Sequence, residues 1–176
     1  PVESLGWDLG IEQAFCDGQY TLAVTYFGNR LENAIISTGS QYTNTPGTSE
    51  TSGIEASAEA NFLNDRLNIA LTYTWLDRSL VDIPENTAGL RIYGKISERL
   101  QAGLTVSYLD QRSYGGNSLP SYYIVNLYGN YKINDNVSLN LRAENLLDKN
   151  YEYYNGFGSA YPGRGRGIFG GVTIEW

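Results

Sequence analysis

The sequence predicts an all-β protein, an antiparallel transmembrane β-barrel segment of about nine strands, and three observations predict it. Apolar and polar residues alternate over repeated stretches of roughly ten residues, the length that crosses a bilayer at barrel tilt. Connections between these stretches are alternately short and long, the asymmetry between the two rims of an outer-membrane barrel. The final stretch, Ile168 to Trp176, ends on an apolar aromatic residue, which lipid receives more readily than a soluble surface does.

Composition agrees. The 176 residues include 15 Tyr and 20 Gly but no Met and no His, and 18% are charged. Tyr favours wet–apolar boundaries, as in barrel girdles. No run approaches the roughly 18 consecutive apolar residues of a membrane helix, so any membrane span must be a strand. The net charge of −7 argues against nucleic acid. Cys16 is the single cysteine, so it forms no internal disulfide, and without His many catalytic and metal sites lose their commonest residue. The opening PVESLGW lacks the regions of a signal peptide. The expectation is a removed signal, or the C-terminal part of something longer.

The first strand carries Leu5, Trp7, Leu9, Ile11 and Phe15 on one face against Gly6, Asp8, Gly10 and Glu12. Cys16, Asp17 and Gly18 make a tight turn, with Gly available for positive φ. Tyr20, Leu22, Val24 and Tyr26 define the second strand, and 30–49 reads as a long loop. The third strand sets Ile54, Ala56, Ala58 and Ala60 against Glu55, Ser57 and Glu59. A turn at Leu63 to Arg66 leads to the fourth, Leu67, Ile69, Leu71, Tyr73 and Trp75.

After a loop at 79–87, Leu90, Ile92 and Ile96 oppose Arg91, Tyr93 and Lys95. Ser97 to Arg99 turns into the sixth strand, Leu100 to Tyr108. A Gly/Asn/Ser/Pro loop covers 110–120. Tyr123, Val125, Leu127 and Tyr131 mark the seventh strand, Ile133 to Asn136 the turn, and Val137, Leu139 and Leu141 the eighth. The last long loop is 148–166, and the short turns share the rim of Trp176, the periplasmic one. A soluble sandwich or lectin also alternates strands and loops.

Several segments resemble the TonB-dependent outer-membrane receptors. PVESLGWDLGIEQ, VTYFGNRLENAI and GIEASAEANFLNDRLNIALTYTWLD are similar to strands of their barrel. LPSYYIVNLYGNYKINDNVSLNLRAENLLDKNYE and PGRGRGIFGGVTIEW resemble its end, with the motif residues Asn145, Leu146, Asp148 and Tyr151, then Pro162, Gly163 and Arg164. The resemblance implies the C-terminal part of a larger, plugged barrel of roughly 22 strands. It implies a bacterial cell outer-membrane location and uptake of a scarce nutrient such as a ferric siderophore or cobalamin, captured by loops and passed by a plug that the TonB complex pulls. The implied partners are outer-membrane lipid, the remaining N-terminal barrel strands, the assembly machinery and the nutrient ligand. No cofactor and no enzymatic activity are implied. Trp176 takes the place of the terminal aromatic read by the assembly machinery. The plug and TonB box are absent from the given residues, and DIPENTAGLRIYGK replaces the usual basic, proline-rich entry to the fifth strand. Nine strands alone would leave two unpaired edges in lipid, each unpaired group costing several kcal/mol. The competing expectation is a small stand-alone barrel or sandwich that binds sugar or a partner through aromatic loops.

Tyr151, Tyr153, Tyr154, Phe157 and Tyr161 are candidate ligand-binding residues, since aromatics anchor recognition surfaces. A structural girdle, with Arg164 fixing the loop inside the barrel, is the favoured account of them. Asp77, Asp82 and Glu85 lack the spacing of a calcium loop and read as solvated charges. Glu55, Glu59, Arg91, Lys95 and Arg142 are expected to pair with one another on the polar face, wetting the barrel interior, or to meet the plug. No carboxylate pair sits across a definable cleft, so no catalytic constellation is expected.

Overall fold

The computed structural model describes residues 1–37, 39–77, 83–114, 117–154 and 160–176. Nine strands form one antiparallel sheet: β1 (Glu3–Phe15), β2 (Tyr20–Glu32), β5 (Thr48–Phe62), β6 (Leu67–Leu76), β7 (Asn86–Lys95), β8 (Leu100–Leu109), β11 (Tyr122–Asn134), β12 (Val137–Glu144) and β15 (Gly167–Ile174). Each pairs with its neighbours in chain order. Three short hairpins decorate the long loops: β3 (Ile35–Ser37) with β4 (Tyr42–Asn44), β9 (Arg112–Tyr114) with β10 (Asn117–Leu119), and β13 (Glu152–Tyr154) with β14 (Ala160–Pro162). A single sheet of nine excludes the two-sheet sandwich.

The register follows the hydrophobic pattern. One row crosses all nine strands through Phe15, Tyr20, Ala60, Ile69, Ile92, Leu104, Leu127, Ala143 and Ile168. The adjacent row, Ala14, Thr21, Glu59, Ala70, Arg91, Thr105 and Asn126, lies on the other face. Slipping any strand by one residue would exchange the faces, so the alternation fixes the pairing.

Among the described residues only Leu119 and Ala143 are buried hydrophobics, while Leu9, Ile11, Leu71 and Ile168 are more than half exposed. The sheet therefore presents its apolar face outward rather than to a core of its own. Aromatics collect near both ends of that face: Trp7 and Tyr26, with ring centroids 5.3 Å apart, and the row of Tyr73, Tyr108 and Tyr123 at one; Tyr20 and Phe62, 5.9 Å apart, at the other.

Boundaries differ from the sequence reading where local hydrogen bonding competes with turn chemistry. The loop at 30–49 is shorter, because β2 and β5 pair as far as Glu32 with Thr48, and β3–β4 caps the connection. The Cys16–Gly18 turn uses positive φ at all three residues, 53°, 56° and 85°; Leu63, Asn64 and Asp65 repeat that geometry without glycine. β11 runs through Asn134, with a bulge between Lys132 and Asn134 where a turn was expected. β15 ends at Ile174 rather than Trp176, although the Glu175 N–H still donates to the Asn136 carbonyl at 2.8 Å.

On the polar face, aromatic rings cover glycines in the neighbouring strand. Gly103 lies between Tyr93 and Tyr128, whose rings stack 6.4 Å apart, and a Cβ there would enter the Tyr128 ring. Within the set of charged residues on this face, Glu59 and Arg91 are linked through Asn68, which donates to Glu59 at 2.6 Å and accepts from Arg91 at 3.4 Å. Asn68 stands opposite Tyr93, two residues along from Arg91, and its amide can donate and accept at once.

Candidate functional site

The hairpins β3–β4, β9–β10 and β13–β14 follow β2, β8 and β12 at one rim of the sheet, and Arg112 of β9 bonds to Glu152 of β13. β12 stops because Asn145 takes φ 47°, a left-handed conformation that Asn tolerates through local side-chain bonding. Asn145 is 3% exposed. Its amide Oδ1 accepts from the Lys149 N–H at 2.8 Å, and its Nδ2 donates to the Lys149 and Arg164 carbonyls at 2.9 and 3.0 Å. Its own N–H donates to Asn126 Oδ1 at 3.0 Å. One side chain thus closes both ends of the loop.

The other motif residues extend this clasp. The Leu146 N–H continues the ladder to the Val125 carbonyl at 2.8 Å. Asp148 has φ 53°, and its Oδ1 accepts from the Arg166 N–H at 2.9 Å. The Gly163 N–H donates to the Tyr151 carbonyl at 2.7 Å, and Gly163 lies against the Tyr151 ring so closely that no Cβ fits. Pro162 pairs with Glu152 at the end of the β13–β14 ladder, where a missing N–H is tolerated.

Arg164 lies at the end of this loop, beside the polar face. It pairs with Glu144 at 3.2 Å, and Glu144 also receives Arg142 at 3.3 Å. Both guanidinium groups lie over the Phe169 ring, 4.9 and 4.8 Å from its centroid. Arg142 therefore finds its carboxylate two residues along its own strand, rather than in Glu55 or Glu59.

The candidate aromatics separate into two sets. Tyr151 stacks on Tyr122 at 4.7 Å and supports the clasp. Tyr153 and Tyr161 stand opposite one another on β13–β14, rings 6.4 Å apart, each about half exposed at 48% and 47%. The Tyr154 side chain and Phe157 lie outside the described residues, as does Asp82. Asp77 bonds to Ser52, and Glu85 accepts from the Trp75 indole at 3.4 Å, so these two acids serve separate local contacts.

Arg112 was not anticipated from the sequence. It is 6% exposed, its guanidinium lies 5.6 Å from the centre of the Tyr122 ring, and its NH2 donates to the Glu152 carbonyl at 3.1 Å. Only its place in a polar loop rich in turn formers was legible, and such arginines are usually solvated. The arrangement leaves the half-exposed rings of Tyr153 and Tyr161 on a hairpin held at its base. Nearby, Asn86 donates to the Asp110 carboxylate at 2.8 Å. That bond, with those from the Gln111 N–H and Tyr108 hydroxyl, outweighs partial desolvation and holds the Asp110 carboxyl below its ordinary range.

Comparison with known proteins follows the same lines. Residues 1–146 match the family model described as "TonB dependent receptor-like, beta-barrel". The metal-pseudopaline receptor CntO of Pseudomonas aeruginosa (strain UCBPP-PA14) is 22% identical over 200 residues, an alignment covering 100% of this chain and 28% of that protein. The solved siderophore receptor PiuA of Acinetobacter baumannii superposes with a TM-score of 0.76 at 24% identity, over 97% of this chain and 28% of that one. The ferric enterobactin receptor PfeA of Pseudomonas aeruginosa gives 0.80 at 22%, over 98% and 31%. The chain thus spans under a third of the length of these relatives.

Proposed function

The chain belongs to the TonB-dependent receptor β-barrel family of Gram-negative outer-membrane proteins, and from that premise we propose that it forms the C-terminal portion of a receptor for a ferric siderophore or a similar metal chelate. The family is one of receptors and transporters. The apolar face then meets lipid, the polar face lines the lumen, and β1 and β15 pair with strands supplied by the rest of the barrel. The observation that carries this reading is the uninterrupted apolar row across nine strands, which gives the sheet a lipid face and no core.

The clasp centred on Asn145 holds a loop whose Tyr153–Tyr161 pair faces a ligand outside the cell. Loop capture precedes passage gated by a plug, coupled to the TonB complex, with no bond made or broken in the ligand. The relatives named for metal–pseudopaline, siderophore and ferric enterobactin favour a chelated metal over cobalamin.

Uptake of radioiron presented as catecholate and hydroxamate chelates tests the reading, in cells with the intact receptor, with residues 150–163 replaced by a short Gly-Ser linker, or with TonB deleted. Loss of uptake of one chelate class in both altered strains supports it. Uptake that survives TonB deletion sinks it.

A further inference from the structure

Burying a guanidinium in a loop is costly unless its hydrogen bonds and its ring contacts are supplied. Arg112 finds one hydrogen-bond partner outside its own loop. It sits in register with the fully buried Leu119 on β9–β10, yet its NH2 reaches the carbonyl of Glu152, 40 residues away, at the base of β13. Its guanidinium carbon lies over the Tyr122 ring, Tyr122 stacks on Tyr151, and the Tyr151 carbonyl holds the Gly163 N–H beside β14. Both strands of the hairpin that carries Tyr153 and Tyr161 are therefore reached from Arg112.

We propose that Arg112 is a positioning residue that couples the β9–β10 hairpin to the β13–β14 hairpin, so that the Tyr153–Tyr161 face is presented in a fixed orientation. It deepens the ligand-face reading above and rests on it. Arginine is the residue the geometry asks for. Its rigid fork donates to a carbonyl while its plane stacks on a ring, and a lysine ammonium does only one of these at a time. A recognition surface on a single hairpin would lose orientational entropy on binding; bracing it against a second loop removes much of that loss beforehand.

Amide hydrogen exchange on the full-length receptor in detergent tests the coupling, comparing wild type, Arg112→Lys, Arg112→Ala and Tyr151→Ala. The expected result is at least tenfold faster exchange at 152–154, 160, 161 and 163 in both Arg112 variants, and at 112–114 and 117–119 in Tyr151→Ala. Exchange that accelerates only within the loop bearing the substitution overturns the proposal. A heat-modifiable band for each variant shows that the barrel itself is folded, and Arg112→Lys keeps the test decisive if the Ala variant does not fold. Affinity for the ferric chelate selected by the uptake screen separates the two readings. Unchanged affinity in Tyr153→Ala and Tyr161→Ala would refute the ligand face, while the exchange data decide the coupling.

Discussion

The side-chain amide of Asn145 and the main-chain carbonyl of Arg164 meet at 3.0 Å, and this contact joins the end of β12 to the approach to β15 across the whole last loop. The same nitrogen also donates to Lys149, so both amide hydrogens point at carbonyls in a nearly dry site.

Asn145→Asp places a carboxylate oxygen against those two carbonyls. It is expected to destabilise the refolded receptor more than Asn145→Ala, which itself costs about 1–3 kcal/mol by leaving buried groups unpaired. Chemical denaturation followed by Trp fluorescence measures both. Equal stability of the Asp variant and wild type would contradict the hydrogen-bond assignment.

Gly163→Ala drives a methyl group into the Tyr151 ring. Overpacking of this kind costs about 1–3 kcal/mol. Because the clash needs both side chains, Gly163→Ala in a Tyr151→Ala background should be close to neutral. A double-mutant cycle with purely additive effects would show that the ring does not hold the position seen.

On the polar face, Asn68→Asp sets a second carboxylate beside Glu59 and forfeits the 2.6 Å donation. A lower unfolding midpoint is expected, with recovery when Glu59→Gln is added. Failure of that second change to restore stability would mean that like charge is not the cause.

The Asp110 cluster at the rim predicts a pH dependence. Its carboxyl titrates below its ordinary value chiefly because Asn86 donates to the charged form. A depressed carboxylate stabilises the folded state above its unfolded pKa of about 4, and that contribution fades as pH falls through the lower folded value. Between pH 7 and 5, wild type should therefore melt at a constant interval above Asp110→Asn. Acidification from about pH 4 downward should narrow it. An interval that widens with acid would reverse the assignment.

Face alternation was readable in the sequence because a strand repeats every two residues, and a slip by one would bury Glu59 or Arg91 in the apolar row. Strand count, rim asymmetry and the motif positions from Asn145 to Arg164 followed from that period together with turn residues and resemblance. Boundaries such as Glu32 and Asn134 were not readable, since ladder hydrogen bonds continue through polar residues that propensity assigns to loops. What each long side chain contacts was settled only by the tertiary structure. Glu59 meets Asn68 before it meets a cation, Arg142 turns to Glu144, and Arg112 is buried beneath a hairpin forty residues further along the chain. Local pattern determines which face a residue takes; the folding of one loop onto another determines its partner, because that distance is set by contacts far apart in sequence.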